Sequence, residues 1–186
     1  MGVRTADRAT ASQLPEKIGN LLDESRWLAL GAVALFLAMA FWGFSKDDPG
    51  WSHAVVSGNL HNPTGHAGAW IADLMLYLFG FSAWWWIVLL VMFMWWGFRR
   101  LNSPLGHADR RPLYLALTGF AVLLVASSAL EALRFYSLKV ELPLAPGGLL
   151  GIEAGRLLEH LLGYTGSTLV LLAAMAAGWS IFSGMS

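Results

Sequence analysis

The sequence predicts an all-α integral membrane protein with four transmembrane helices and two short interfacial helices that face outward. Three observations predict this class. Hydrophobic residues make up 56% of the 186 residues, charged residues make up only 13%, and the mean hydropathy is +0.56. Four apolar runs approach or reach the length of about 17–25 residues that crosses a bilayer as a helix. Charged and turn-forming residues separate these runs.

Residues 1–26 are predicted to form a cytoplasmic N-terminal segment ahead of a membrane domain over residues 27–186. The segment mixes basic and acidic side chains and has too few apolar residues for a core. A cleaved signal peptide is the alternative, because Ala38-Met39-Ala40 is typical of a cleavage site. The long, half-acidic segment and the three later spans favour the cytoplasmic interpretation.

The first span is predicted over residues 27–44, and Asp48-Pro49-Gly50 belongs to the turn that ends it. The next apolar stretch, Gly68 to Arg100, would be about 45 Å long as one straight helix and therefore too long for a single span. Gly80 is the natural break, since Gly is favoured just after a helix and Ser82 can cap the next one. We therefore expect an interfacial helix over 69–79 and a second span over 83–98.

The second half has the same order of elements. A third span is predicted over residues 113–130, followed by a loop rich in Pro and Gly. Residues 149–162 place charged side chains on one side of a helix and mainly Leu on the other, which predicts a second interfacial helix. Gly163 and Gly166 break it, and the fourth span follows over 167–182.

The distribution of Lys and Arg predicts the orientation. Four lie in the N-terminal segment and four in the linker after the second span, against one and three in the other two loops. The positive-inside rule therefore predicts that both termini are cytoplasmic and that the two longer loops face outward.

A shift of 83 residues aligns the two halves. It places Gly68 on Gly151, Gly80 on Gly163, Phe81 on Tyr164 and Ser82 on Thr165. This predicts a two-fold parallel internal repeat, with chance similarity of common small residues as the alternative. Each interfacial helix must turn sharply into its span, so Val in place of Gly80 or Gly163 should misplace that helix and weaken assembly.

The ionisable residues give little sign of chemistry. Asp73 and Glu131 lie near element ends, where we expect solvated carboxylates; alternatively, Asp73 anchors its helix or pairs with a basic group on another chain. His53, His61 and His66 have spacings of 8 and 5, so we expect solvated histidines rather than a metal site. There is no Cys, no Walker A motif and no nucleophile elbow, so we expect no catalytic centre, cofactor or metal in this chain.

The spans also predict how the helices pack. We expect some of the five tryptophans near the second span to pack on neighbouring helices or to face lipid below the interface. They are Trp84, Trp85, Trp86, Trp95 and Trp96. Small residues at Ala34-x-x-x-Ala38 and Ala174-x-x-x-Gly178 favour close contact between helices.

Several strings resemble one known family. They are Asp48-Pro49-Gly50-Trp51-Ser52, then Asn59 to Asn62, Gly68-Ala69-Trp70-Ile71-Ala72-Asp73, Gly80, Gly147-Gly148-x-x-Gly151, the Gly163-to-Gly166 turn, and the ending from Ala177 to Ser186. Over about residues 15–186 they resemble the N-terminal four-span membrane domain of the FtsK/SpoIIIE DNA translocases.

This resemblance implies an anchor in the bacterial inner (cytoplasmic) membrane that helps the division machinery assemble at the septum. In that family a hexameric, ATP-driven motor follows the membrane domain, so DNA, ATP and Mg belong to a part absent from this chain, and the full-length protein is expected to be a homo-oligomer. We expect a fragment that ends at the domain boundary. A small transporter or channel protomer is the alternative function. The candidate structural or partner-contact residues are Asp48, Pro49, Trp51, Ser52, Gly68, Trp70, Asp73, Gly80, Gly151 and Gly163.

Overall fold

The computed structural model describes residues 25–54, 60–101, 113–135 and 141–184, with side chains up to residue 97 in the second range. Most of the predicted N-terminal segment lies outside these residues, as do the basic linker from residue 102 onward, Asn59 and Lys139. The described residues contain helices and no strands. The helices are α1 (Ser25–Trp42), α2 (Gly65–Phe79), α3 (Trp85–Leu101), α4 (Leu113–Arg134) and α5 (Gly148–Ser183), with a 3₁₀ turn (Gly80–Trp84) between α2 and α3.

In the described part of the chain, four helical stretches are long and apolar enough to cross a membrane, which confirms the all-helical, four-span prediction. They are α1, the continuous stretch Gly65–Gly97, α4 and α5. The predicted boundaries differ in detail: α2 begins four residues before the expected position 69, and α3 begins at Trp85 rather than at 83.

The second stretch is interrupted at Gly80, as predicted. Gly80 has φ 62° and ψ −139°, a conformation that disfavours residues with a Cβ, and its N–H donates to the carbonyl of Leu76. Ser82 was expected to cap α3, but it does not. It lies inside the 3₁₀ turn, where its polar groups point to α4 instead.

Helix α5 runs for 36 residues with one non-helical residue, Gly163, at φ 67° and ψ 171°. The predicted break is therefore present, but it is confined to a single residue. The hydroxyl of Ser167 donates to the Gly163 carbonyl over 2.7 Å, which gives that carbonyl a partner next to the kink.

Small residues set the closest approaches between helices. A Cβ on Gly178 would lie 2.7 Å from the backbone nitrogen of Leu123, and one on Gly119 would lie 2.5 Å from the backbone nitrogen of Phe182. Helices α4 and α5 can therefore pack backbone against backbone only because both positions are Gly. A Cβ on Gly97 of α3 would overlap the ring of Trp27 in α1, so this approach also requires Gly.

Trp86 and Trp96 of the second span pack on other helices, one of the two arrangements expected. Trp86 meets Phe120 of α4 edge to face at 5.3 Å, and Trp96 meets Phe182 of α5 at 5.9 Å. Such aromatic pairs stabilise contacts beyond their buried area. They join the first half of the chain to the second.

Candidate functional site

The carboxylate of Asp73 holds the loop between α1 and α2 against α2. Asp73 is 1% exposed, and it accepts hydrogen bonds from the Ser52 backbone N–H at 2.5 Å and the Ser52 hydroxyl at 2.9 Å. The Nδ1 atom of His53 lies 3.7 Å away. Gly50 allows this approach, since a Cβ there would lie 2.6 Å from the Asp73 carboxyl carbon. The two most specific strings of the sequence therefore meet through one carboxylate.

A second buried carboxylate, Asp48, organises the other end of the same loop. Asp48 is 2% exposed and accepts the N–H groups of His61 at 2.7 Å and Asn62 at 2.8 Å, with the His61 ring at 3.2 Å. Burial by itself raises the pKa of Asp48, but the two backbone hydrogen bonds and the His61 ring together outweigh burial and lower that pKa. Asp48 is therefore held in its charged form.

Asn62 connects this loop to both neighbouring helices. Its side-chain amide donates to the carbonyl of Ala40 near the end of α1 at 2.9 Å. Its side-chain oxygen accepts the Thr64 N–H at 3.0 Å and the Thr64 hydroxyl at 2.5 Å. Gly68 makes room, because a Cβ there would overlap the Thr64 hydroxyl. We call the set Asp48, Ser52, His61, Asn62, Thr64 and Asp73 the loop network.

The loop network supports an aromatic surface. Trp51 packs edge to face on Tyr77 of α2, with ring centroids 5.3 Å apart. Trp70 lies about two turns before Tyr77 on the same side of α2. Trp51 and Trp70 are both about half exposed.

A separate polar contact joins the turn after α2 to α4. Glu131 accepts the Ser82 hydroxyl at 2.8 Å and the Ser82 N–H at 3.1 Å, and the hydroxyls of Ser82 and Ser127 are 2.6 Å apart. The N–H of Phe81 donates to the carbonyl of Pro146 at 2.7 Å, and a Cβ on Gly80 would overlap that same carbonyl. The turn at Gly80 is therefore held in place by hydrogen bonds to residues from the second half of the chain.

The expectation of solvated carboxylates at Asp73 and Glu131 is wrong. Asp73 is fully buried and Glu131 is partly buried, because both accept hydrogen bonds from serines distant in sequence. His61 is exposed, yet it and His53 both lie beside carboxylates rather than in water alone. Within the described ranges, no three His, Cys, Asp or Glu side chains are grouped to hold a metal ion.

The predicted site residues divide into three places. Most of the candidates from the first loop and α2 come together: Asp48, Pro49, Trp51, Ser52, Gly68 and Asp73 lie in or beside the loop network, with Trp70 exposed on α2. Gly80 contacts the loop before α5. Gly151 packs directly against α4, since a Cβ there would lie 2.2 Å from the carbonyl oxygen of Ser128. Gly163 lies apart, with no atom within 4 Å of a Cβ built on it.

Sequence reasoning missed the roles of Thr64, Ser82 and Pro146. Thr64 and Pro146 carry no signal of their own, since Thr and Pro are common in turns. Ser82 and Glu131 did carry a sequence signal. A carboxylate at the end of an apolar helix needs a hydrogen-bond donor, and a serine that follows a helix-ending glycine can supply that donor.

These helices and contacts define the class as a multi-span α-helical membrane protein whose buried polar groups fasten loops to helices. The profile of the 4TM region of DNA translocase FtsK/SpoIIIE matches residues 19–186. The chain therefore belongs to the FtsK/SpoIIIE family, as its four-span membrane region, and the resemblance noted from the sequence is confirmed.

Relatives with this region are DNA translocases several times longer than the chain. DNA translocase FtsK 2 of Ralstonia nicotianae is 43% identical over 179 residues, covering 94% of this chain and 23% of the relative. DNA translocase FtsK 1 of Neisseria meningitidis is 33% identical over 179 residues, covering 95% and 22%. DNA translocase FtsK of Pseudomonas putida is 31% identical over 183 residues, covering 96% and 22%. The chain thus spans about a fifth of these relatives' length. No solved structure matches it.

Proposed function

We propose that this chain is the membrane-anchoring and division-septum assembly domain of an ATP-driven DNA translocase. Family membership and four membrane-spanning helices support the anchoring role. DNA transport, ATP and Mg belong to a motor outside this chain, since the match covers only the 4TM region of the relatives. The domain lies in the bacterial inner membrane with both termini in the cytoplasm, an orientation supported by the positions of Lys and Arg.

The loop network supports a role in assembly with division proteins. Two buried carboxylates fix a short loop so that Trp51 and Trp70 remain half exposed on one surface. Exposed aromatic residues on a rigid support are typical of contact sites for other proteins. We propose that membrane proteins of the division machinery bind this surface on the outer side of the membrane.

We also propose that the two halves are an internal repeat. Gly65 and Gly148, 83 residues apart, have φ of 75° and 63°, and Gly80 and Gly163 have φ of 62° and 67°. The N–H of Gly65 donates to the Asn62 carbonyl, and that of Gly148 donates to the Ala145 carbonyl, again 83 residues on. In each half a turn precedes a helix of the same length, which ends at the second glycine. These two helical segments are the proposed outward-facing interfacial helices.

Localisation of the chain fused to a fluorescent protein tests the function. Enrichment at the septum is expected for the unchanged chain, with a reduction in Trp70→Ala. Trp95→Ala is the matched control, because Trp95 is also about half exposed and lies in the second half of α3, outside the loop network. An even distribution of the unchanged chain round the membrane would contradict septal assembly by this domain. Reproducible ion flux through liposomes containing the chain would instead favour the transporter or channel alternative.

A further inference from the structure

A cluster of three side chains joins the last residue of α4 to the part of α5 that follows Gly163. Arg134, at the end of α4, donates from Nε and Nη2 to the hydroxyl oxygen of Thr168 at 3.1 and 2.9 Å. The Thr168 hydroxyl donates its own proton to the carbonyl of Tyr164 over 2.8 Å. That oxygen therefore has only acceptor capacity left, which suits the two guanidinium donors. We call Arg134, Tyr164 and Thr168 the arginine cluster.

The ring of Tyr164 holds the guanidinium group from a second direction. The guanidinium carbon of Arg134 lies 4.2 Å from the ring centroid, within the range of a cation–π contact. Thr168 is buried between the helices, so its hydroxyl has a fixed position. A free arginine side chain has many rotamers, and these contacts select one of them. Arg134 is thus held in place by neutral groups alone.

The charge of Arg134 has no carboxylate partner in the described part of the chain, where its contacts are those with Thr168 and Tyr164. Glu131 lies one turn earlier on α4, but both of its carboxylate oxygens accept hydrogen bonds from Ser82. Arg134 is exposed, so the N–H groups of Nη1 and the second N–H group of Nη2 are available to a ligand. The cluster therefore presents a fixed and unneutralised positive charge.

Exposed apolar side chains lie next to the arginine cluster in the chain. Phe135 follows Arg134 directly, and Leu161 and Leu162 come just before the kink at Gly163; all three are exposed. There is also open space at the kink, since a Cβ on Gly163 would meet no atom within 4 Å. Arg134 ends a helix that is long and apolar enough to cross a membrane. A guanidinium group at that position lies at the level of the lipid headgroups, with apolar surface beside it for acyl chains.

We propose that the arginine cluster binds the phosphate group of an anionic membrane phospholipid. The planar guanidinium group donates pairs of parallel hydrogen bonds to phosphate oxygens, and the unneutralised charge of Arg134 complements a headgroup with net negative charge. A free phosphate ion offers the same oxygens, but it has no acyl chains to cover the exposed Phe135 and Leu161. Thr168 and Tyr164 are positioning residues for Arg134. In the orientation proposed above, the lipid belongs to the outer leaflet.

Competition between two lipids tests the site. The chain, purified in detergent, is mixed with equal amounts of phosphatidylglycerol and phosphatidylcholine that have identical acyl chains, and native mass spectrometry measures the ratio of the bound lipids. Phosphatidylglycerol should be preferred about fivefold, the preference that one basic residue at a membrane surface gives to an anionic lipid. Arg134→Gln should abolish this preference. Arg156→Gln is the matched control, because Arg156 is already paired with Glu153 at 3.3 Å and its loss should leave the preference unchanged.

Two substitutions of Thr168 test whether Arg134 must be held in place. Thr168→Val removes the accepting oxygen and should weaken the preference, whereas Thr168→Ser keeps that oxygen and should retain the preference. A loss of stability alone would not change the ratio of two lipids bound to the same chain, so this measurement separates positioning from folding. If Arg134→Gln does not fold, the comparison of Thr168→Val with Thr168→Ser decides the proposal.

Three results would overturn the lipid site. They are an equal ratio of the two lipids on the unchanged chain, a preference that survives Arg134→Gln, and displacement of phosphatidylglycerol by inorganic phosphate, which would assign the site to a free anion. Fluorescent fusions of the same variants separate this inference from the proposed function. Septal enrichment without a lipid preference would reject the lipid site and leave the assembly role standing. Loss of septal enrichment in Arg134→Gln without a lipid preference would assign Arg134 to a protein contact instead.

Discussion

Ser52 donates both its backbone N–H and its hydroxyl to the carboxylate of Asp73, 21 residues further along the chain. Hydrogen bonds to a charged acceptor are stronger than neutral ones. The contact therefore fixes the loop after α1 to the middle of α2, and it explains why Ser52 and Asp73 belong to the two most specific strings of the sequence.

Asp73→Ala should destabilise the domain by about 1–3 kcal/mol, because it removes two charge-assisted hydrogen bonds and a buried side chain. Ser52→Ala removes only one of those bonds and should cost less. Thermal unfolding in detergent measures both. Glu153→Gln is the control, since Glu153 is exposed and should change stability by less than about 0.5 kcal/mol. Equal stability of Asp73→Ala and the control would show that the contact contributes nothing.

Asp48 should make the loop network sensitive to acid. Its pKa is lowered in the folded chain, so its contribution to stability is complete above the ordinary value of 3.8 and is lost as the pH falls through the folded value. Asp48→Asn should lower stability at neutral pH and flatten the acid dependence. Unfolding temperatures across a pH series compare the two proteins. The same acid slope in both would rule out this assignment.

Gly80→Ala should be far more damaging than Gly163→Ala. Both positions have positive φ with ψ far from the left-handed helical value, a conformation that costs an alanine about 1–3 kcal/mol. At Gly80 the added methyl group would also overlap the Pro146 carbonyl, whereas at Gly163 it meets no atom. Each variant serves as the control of the other in thermal unfolding. A loss at Gly163 as large as that at Gly80 would contradict the contact with Pro146.

Ser82 and Glu131 should behave as a coupled pair. Either alanine substitution breaks the hydrogen bond between the Ser82 hydroxyl and the Glu131 carboxylate, so the double variant should cost less than the sum of the single ones. A coupling free energy of about 0.5–3 kcal/mol is expected from such a double-mutant cycle. Additive effects would show that the two residues act independently.

Local features of this fold could be predicted from sequence, while contacts between distant residues could not. Apolar runs bounded by turn residues predicted the four helices that can span a membrane, and a glycine inside an overlong run predicted the break at Gly80. Burial of Asp73 and Glu131 depended on serines 21 and 49 residues away, and no local pattern reveals such partners. The pattern for Ser82 favoured a helix cap, but Glu131 of α4 competes successfully for its donors.

The loop network and the Ser82 turn differ in when they can form during synthesis. Every partner in the loop network lies between Ala40 and Asp73, so the network can close as soon as α2 has been made. The Ser82 turn needs Ser127, Glu131 and Pro146, which are synthesised much later. The half that leaves the ribosome first can therefore form the hydrogen bonds of the loop network but not those of the Ser82 turn. The position of α3 is fixed by its contacts only after the second pair of spans has been inserted.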